Sequence, residues 1–244
     1  MKTFKTILSI AMISTASVCS YGQTADEIVN KYLETIDPGK KLSNLEGLKM
    51  DMVAKAQGME IPVSLFSAKN GEILMNINLQ GKEITQMAFD GKEMWSTNFM
   101  TMKAEKADAE TTDNMKQNID FPDPFLNYKA KGYKIEYLGK ETKDGADTYK
   151  IKLTKKPIKV QGQPQENISF YYFDADSNLP IVTEAEIHEG PMKGQKSTSK
   201  MSDYQEVDGI YFPFSLQMMG QELKVNKITV NPIIDKKMFA FPAP

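Results

Sequence analysis

From Leu45 onward the apolar residues of this chain recur at every second position, and that period of two limits the folds open to it. Leu48, Met50, Met52, Ala54 and Ala56 alternate with Lys49, Asp51, Val53 and Lys55. After a turn at Gln57-Gly58 the pattern repeats through Met59, Ile61, Val63 and Leu65, and again through Ile73, Met75, Ile77 and Leu79. Gln80-Gly81 turns the chain into 84–89, and Asp90-Gly91, a strong hairpin signal, leads to Met94-Trp95. The second half continues alike: Tyr133, Ile135, Tyr137; Tyr149, Ile151, Leu153; Ile168, Phe170, Tyr172; then 181–187, 210–218 and 223–230. Asp144-Gly145, Asp176-Ser177-Asn178 and Asp208-Gly209 supply turns between these runs. Short turns between consecutive strands favour sequential antiparallel pairing. The count is about eleven strands, and a sheet that wide curls rather than staying flat.

Two stretches break the alternation. Thr24 and Glu27 have capping-box spacing, and Ile28, Tyr32, Leu33 and Ile36 recur at helical intervals until Asp37-Pro38-Gly39. The segment 105–118 is polar, rich in helix formers and free of Pro and Gly, which reads as a short helix or mobile insertion. No linker or change of composition divides the chain, so residues 23–244 are expected to form one domain.

Residues 1–22 have the three parts of a secretory signal peptide. Lys2 and Lys5 give the positive start, 7–18 is uncharged and apolar, and Ser20-Tyr21-Gly22 offers small residues for cleavage before Gln23. The apolar run is short of the roughly 20 residues of a permanent membrane helix. Cys19 raises the rival of a lipid-anchored form, but Val18 stands where a small residue normally precedes the lipidated cysteine. The expectation is a periplasmic protein with its signal removed, and with it the single cysteine, so that no disulfide can form.

Thirty basic residues, all lysine, face 32 carboxylates, a balance that argues against nucleic acid as a partner. With no arginine, planar bidentate recognition of carboxylate or phosphate is ruled out. One histidine, His188 beside a turn, makes a transition-metal site improbable. Asp174 and Asp176 lack the further oxygen ligands of a calcium loop and read as a turn. There is no nucleophile elbow, phosphate loop or zinc-protease helix, and no enzyme is expected.

Methionine is the informative residue, with sixteen in the chain. Met50, Met52, Met59, Met75, Met87, Met94 and Met100 crowd into the first strands. Two readings stand: a core that uses Met in place of Leu, or an adaptable surface for greasy ligands. The aromatic runs 170–173 and 211–214 carry the same ambiguity, since consecutive strand residues point to both faces.

Four motifs in order then resemble the LolA-like family of periplasmic outer-membrane lipoprotein-sorting proteins. They are Phe89-Asp90-Gly91-Lys92-Glu93-Met94-Trp95, the run 173–180 ending Leu179-Pro180, the run 204–213 with Asp208-Gly209 and Phe212-Pro213, and Asn231-Pro232 with Phe239, Phe241 and Pro242. The resemblance implies a mainly β (α+β) fold, a strongly curved antiparallel half-barrel with a helical lid over an apolar cavity. It implies a monomeric, non-enzymatic chaperone without cofactor. Such a carrier binds acyl chains of lipoproteins or lipids for transport to the outer membrane, between an inner-membrane donor and an outer-membrane acceptor. Relatives that sense envelope stress supply the alternative, a module docking a membrane-bound protein. With this fold in mind, strand parity places Met50, Met52, Met75, Ile77, Met87, Phe89, Trp95, Phe170, Tyr172, Phe212 and Phe214 in the cavity. Carriers of the family latch the lid with an arginine, and no residue here can take that role.

Overall fold

The computed structural model describes residues 23–242 except residue 57, so the signal peptide and Cys19 lie outside the described residues. Helix α1 (Ala25–Ile36) begins with the expected capping box. Thr24 Oγ1 accepts the Glu27 amide at 3.2 Å, and the Thr24 amide donates to Glu27 Oε2 at 2.8 Å. Asp37 ends the helix, and its carboxylate accepts the amides of Lys41 and Leu42 at 2.7 and 2.8 Å, which starts the turn into the sheet.

Strands β1 (Gly47–Ala56), β2 (Met59–Ala68), β3 (Ile73–Leu79), β4 (Lys82–Phe89), β5 (Met94–Thr97) and β6 (Ala104–Lys106) run as a meander. Helix α2 (Ala109–Gln117) follows, shorter than the stretch 105–118 because Asp108 caps it by accepting the Thr111 amide. The second half comprises β7 (Lys134–Lys143), β8 (Ala146–Thr154), the small hairpin β9 (Ile158–Val160) and β10 (Gln163–Gln165), β11 (Ile168–Asp174), β12 (Pro180–Glu186), β13 (Lys196–Val207), β14 (Ile210–Met218) and β15 (Gln221–Val230). A 3-10 turn, Lys236–Phe239, lies in the C-terminal segment.

Thirteen strands form one antiparallel sheet in the order β6-β5-β4-β3-β2-β1-β15-β14-β13-β12-β11-β8-β7. The last strand thus returns to pair with the first and joins the two halves at the centre, with Met50 opposite Ile228 and Met52 opposite Val225. The sheet is curled and does not close into a barrel, as the half-barrel expectation required. The strand count exceeds eleven because β6, β9 and β10 have only three residues each, too few to show a period, and because β13 is almost wholly polar and so shows no apolar alternation.

One face of the sheet carries the main core. Leu48, Met52, Val63, Ile151, Leu153, Phe173, Ile210, Val225 and Ile228 are buried there beneath Ile28, Val29, Tyr32 and Ile36 of α1 and Phe125 of the loop after α2. The helix meets β14 and β7, so the lid presses on the C-terminal half of the sheet.

Candidate ligand-binding trough

The residues opposite one another in the first strands form rows across the covered face. Met50, Leu65, Met75 and Met87 stand in register across β1 to β4. The next row is Met52, Val63, Ile77 and Ile84. Beyond the first row, Leu48, Ser67, Ile73 and Phe89 make a third. The first row is half-buried along its whole length, whereas Met52, Val63, Ile84 and Phe89 are buried. A strip of flexible, apolar side chains is therefore left partly uncovered between the lid and the β4 edge. Six of the expected cavity residues, Met50, Met52, Met75, Ile77, Met87 and Phe89, share this face. On β14, Phe212 is buried in the same core and Phe214 packs against it.

Three expected cavity residues lie elsewhere, and each has a physical reason. Trp95 pairs with Ala88, on the outer face of the sheet. There its Nε1 donates to the Phe239 carbonyl at 2.8 Å, and Phe66, Leu74 and Phe239 surround it in a second core. The C-terminal segment crosses this face as a strap, which strand parity could not foresee. Phe170 and Tyr172 also face outward, because their neighbours Tyr171 and Phe173 take the inner side against Phe125. Tyr172 is nevertheless buried, with Lys143 and Lys150 over its ring and its hydroxyl donating to Glu184 Oε2 at 3.0 Å. Burial and the neighbouring carboxylate push the Tyr172 hydroxyl up to about 12. Two aromatic faces on one strand made its parity ambiguous.

Three inner-face contributors were missed. Leu65 was within the alternating pattern and parity with Val63 could have found it. Tyr32 and Asp123 could not be found that way, because the loop after α2 brings them together. Tyr32 donates to Asp123 Oδ2 at 2.6 Å, and the Phe125 amide donates to Asp123 Oδ1 at 2.8 Å. Burial pushes both the Asp123 carboxyl and the Tyr32 hydroxyl above their usual ranges, with Asp123 reinforcing the shift of Tyr32. This pair ties α1 to the loop 119–133. Tyr128 and Lys129 add bonds to Asp26, each at 2.7 Å. Past the end of the helix, Lys41 Nζ donates to the Asp208 carbonyl of the β13–β14 turn at 2.7 Å.

A cavity of about 330 Å³ opens between the lid and the sheet, lined by Tyr32, Ile36, Leu48, Met50, Tyr171, Met201 and Phe212. That is at the small end of ligand pockets, roughly 300–1,000 Å³. A larger space of about 530 Å³ lies on the outer face beside the strap, where the apolar Phe66, Leu74 and Met238 alternate with the charged Lys49, Asp51 and Glu83. Asp174 Oδ1 accepts from the amide and hydroxyl of Ser177, a turn rather than a metal loop. Among the described residues no helix is long and apolar enough to cross a membrane.

An open, curled antiparallel sheet with a helical lid on one face defines a LolA-like fold, and solved structures agree. The chain superposes on a LolA superfamily protein from Nitrosomonas europaea with a TM-score of 0.54 and 14% identity, covering 89% of this chain and 98% of that one. A DUF1329 family protein from Desulfovibrio piger gives 0.54 and 12%, over 88% and 97% of the two chains. A putative outer membrane lipoprotein-sorting protein domain from Vibrio parahaemolyticus gives 0.51 and 13%, over 88% and 97%. No family model and no curated protein matches the sequence. The chain shares the fold of these three proteins.

Proposed function

We propose that this protein is a non-enzymatic carrier of the bacterial envelope that shelters acyl chains of lipids or lipoproteins in the trough between α1 and the first four strands. The half-buried row Met50, Leu65, Met75 and Met87 carries the proposal. This strip is apolar, unbranched over three of its four positions, and left partly uncovered along its whole length. Methionine adapts to variable chain shapes with little strain. Each methylene moved from water into such a trough contributes about 0.8 kcal/mol. The likeness in fold to a putative lipoprotein-sorting domain supports the reading. Sorting to the outer membrane, between an inner-membrane donor and an outer-membrane acceptor, is the pathway in which such a carrier fits.

Loading would extend the space between α1 and β1 along the methionine row, while the buried face of α1 keeps the helix on the C-terminal half of the sheet. Hydrogen bonds join α1 to the loop 119–133, and Lys41, past the end of the helix, reaches the turn at Asp208. A lysine gives a point contact without the planar fork of arginine. The test is titration with a fluorescent fatty acid. The wild-type protein is expected to bind it saturably, and Met75→Asp to lose binding while melting as a folded protein. Equal affinity in the two would remove the trough from consideration.

A further inference from the structure

Antiparallel order places the tips of four hairpins, β5–β6, β3–β4, β1–β2 and β14–β15, one after another along one rim of the sheet. Six of the ten exposed large apolar side chains among the described residues sit at these tips: Met59, Phe99, Met100, Met102, Met218 and Met219. Met100 is 95% exposed and Met219 61%. Met102 and Met219 also hold left-handed backbones, with φ of 56° and 49°. Such positions favour Gly, Asn or Asp, and an exposed methionine there gains nothing for folding.

The opposite rim of the same strands is built differently. Its turns are Asn70-Gly71, Asp90-Gly91 and Asp208-Gly209, flanked by Lys69, Glu72, Lys92 and Glu93, with no exposed large apolar side chain at their tips. The apolar tips, 57–59, 79–82, 98–103 and 218–221, contain Lys82 and Lys103, with Glu60, Glu83 and Glu222 at the next positions along the strands. This rim gathers most of the exposed apolar knobs among the described residues, with Lys82 and Lys103 between them. Isolated apolar knobs of this kind match a phospholipid surface, where they enter the acyl boundary while the charged residues beside them stay at the headgroups. The knobs stand on separate hairpins with Gln80 and Gln221 between them, so they present no continuous face for a protein groove. Ala54, Leu79 and Leu223, half-buried, continue the trough's side of the sheet to this rim.

We propose that the rim formed by these four hairpin tips seats the protein on a lipid bilayer. Contact with the bilayer stands independently of the trough. Its use, passing an acyl chain between membrane and trough without exposure to water, rests on the carrier reading. Flotation with vesicles of phosphatidylcholine and phosphatidylglycerol tests it, comparing the full chain with a triple variant, Met59→Asp, Met100→Asp and Met219→Asp. The wild type floats with the vesicles, and the triple variant partitions at least tenfold less while its melting temperature and its affinity for a soluble acyl probe stay unchanged. Ile233→Asp, at a fully exposed apolar residue away from the rim, floats as the wild type does. A wild type that stays with the buffer, a triple variant that floats undiminished, or a wild type that binds native membranes but not protein-free vesicles overturns the proposal; the last result would assign the rim to a protein. Failure of the trough would instead show as absent probe binding with flotation intact.

Discussion

The two faces of strands β1 to β5 are made by one alternating sequence and end in opposite states. On the outer face Phe66, Leu74, Ala88 and Trp95 close around Phe239 of the C-terminal strap, and Ala88 and Phe239 are almost wholly buried. Phe66 and Phe239 lie with ring centroids 5.4 Å apart. On the inner face the row from Met50 to Met87 stays half-buried, because the lid packs on the other half of the sheet. Rigid aromatics fill the closed face, and flexible methionines occupy the open one. The contrast teaches that residue type, not hydrophobicity alone, separates a finished core from a surface prepared for a ligand.

The comparison breaks or sharpens at named residues. Phe239→Ala should show the largest effect: truncating a buried aromatic costs about 3–5 kcal/mol, read as a fall in the urea midpoint. Affinity for an acyl probe should remain, because the strap is on the far side of the sheet. Met75→Ala should do the reverse, weakening the probe about tenfold through lost apolar contact, with a stability change of roughly 1 kcal/mol. If Phe239→Ala abolished probe binding and Met75→Ala did not, the assignment of faces would be inverted. Trp95→Phe removes the donor to the Phe239 carbonyl and should cost about 1–2 kcal/mol in the same unfolding assay.

The smallest effect belongs to the outer face of the second half. Burial opposes the charge of Glu184, yet hydrogen bonds from Lys143 and Tyr172 hold its carboxyl below the ordinary 4.5. Its contribution is therefore present above that value and lost as pH falls through the lowered one. Glu184→Gln should be about 1 kcal/mol less stable than wild type at neutral pH, and the difference should close in acid. A gap that widens on acidification would contradict the ion pair.

Much of this was legible in the sequence because alternation is a strong signal. The capping box at Thr24, the strand run from Leu48 to Phe89 and the turn at Asp174 all stand where the residues put them. Six inner-face residues of the first half followed from parity. Parity failed where both faces are buried, at Phe170 and Tyr172, because a strand with apolar residues on each side has no preferred face in isolation. It failed at Trp95 because the cover comes from residues more than a hundred positions later. The Tyr32–Asp123 pair was invisible for the same reason, a contact made by tertiary packing between a helix and a distant loop.

The central claim is that the trough is a place for acyl chains. Native mass spectrometry of the protein purified from its own cells, with organic extraction of anything bound, tests it most directly. The account predicts a population heavier than the bare chain that releases a lipid or an acylated polypeptide, and that Met75→Asp lacks. A clean mass for the bare chain, together with no uptake of an added fatty acid, would contradict it and make the methionine row an ordinary, loosely covered core.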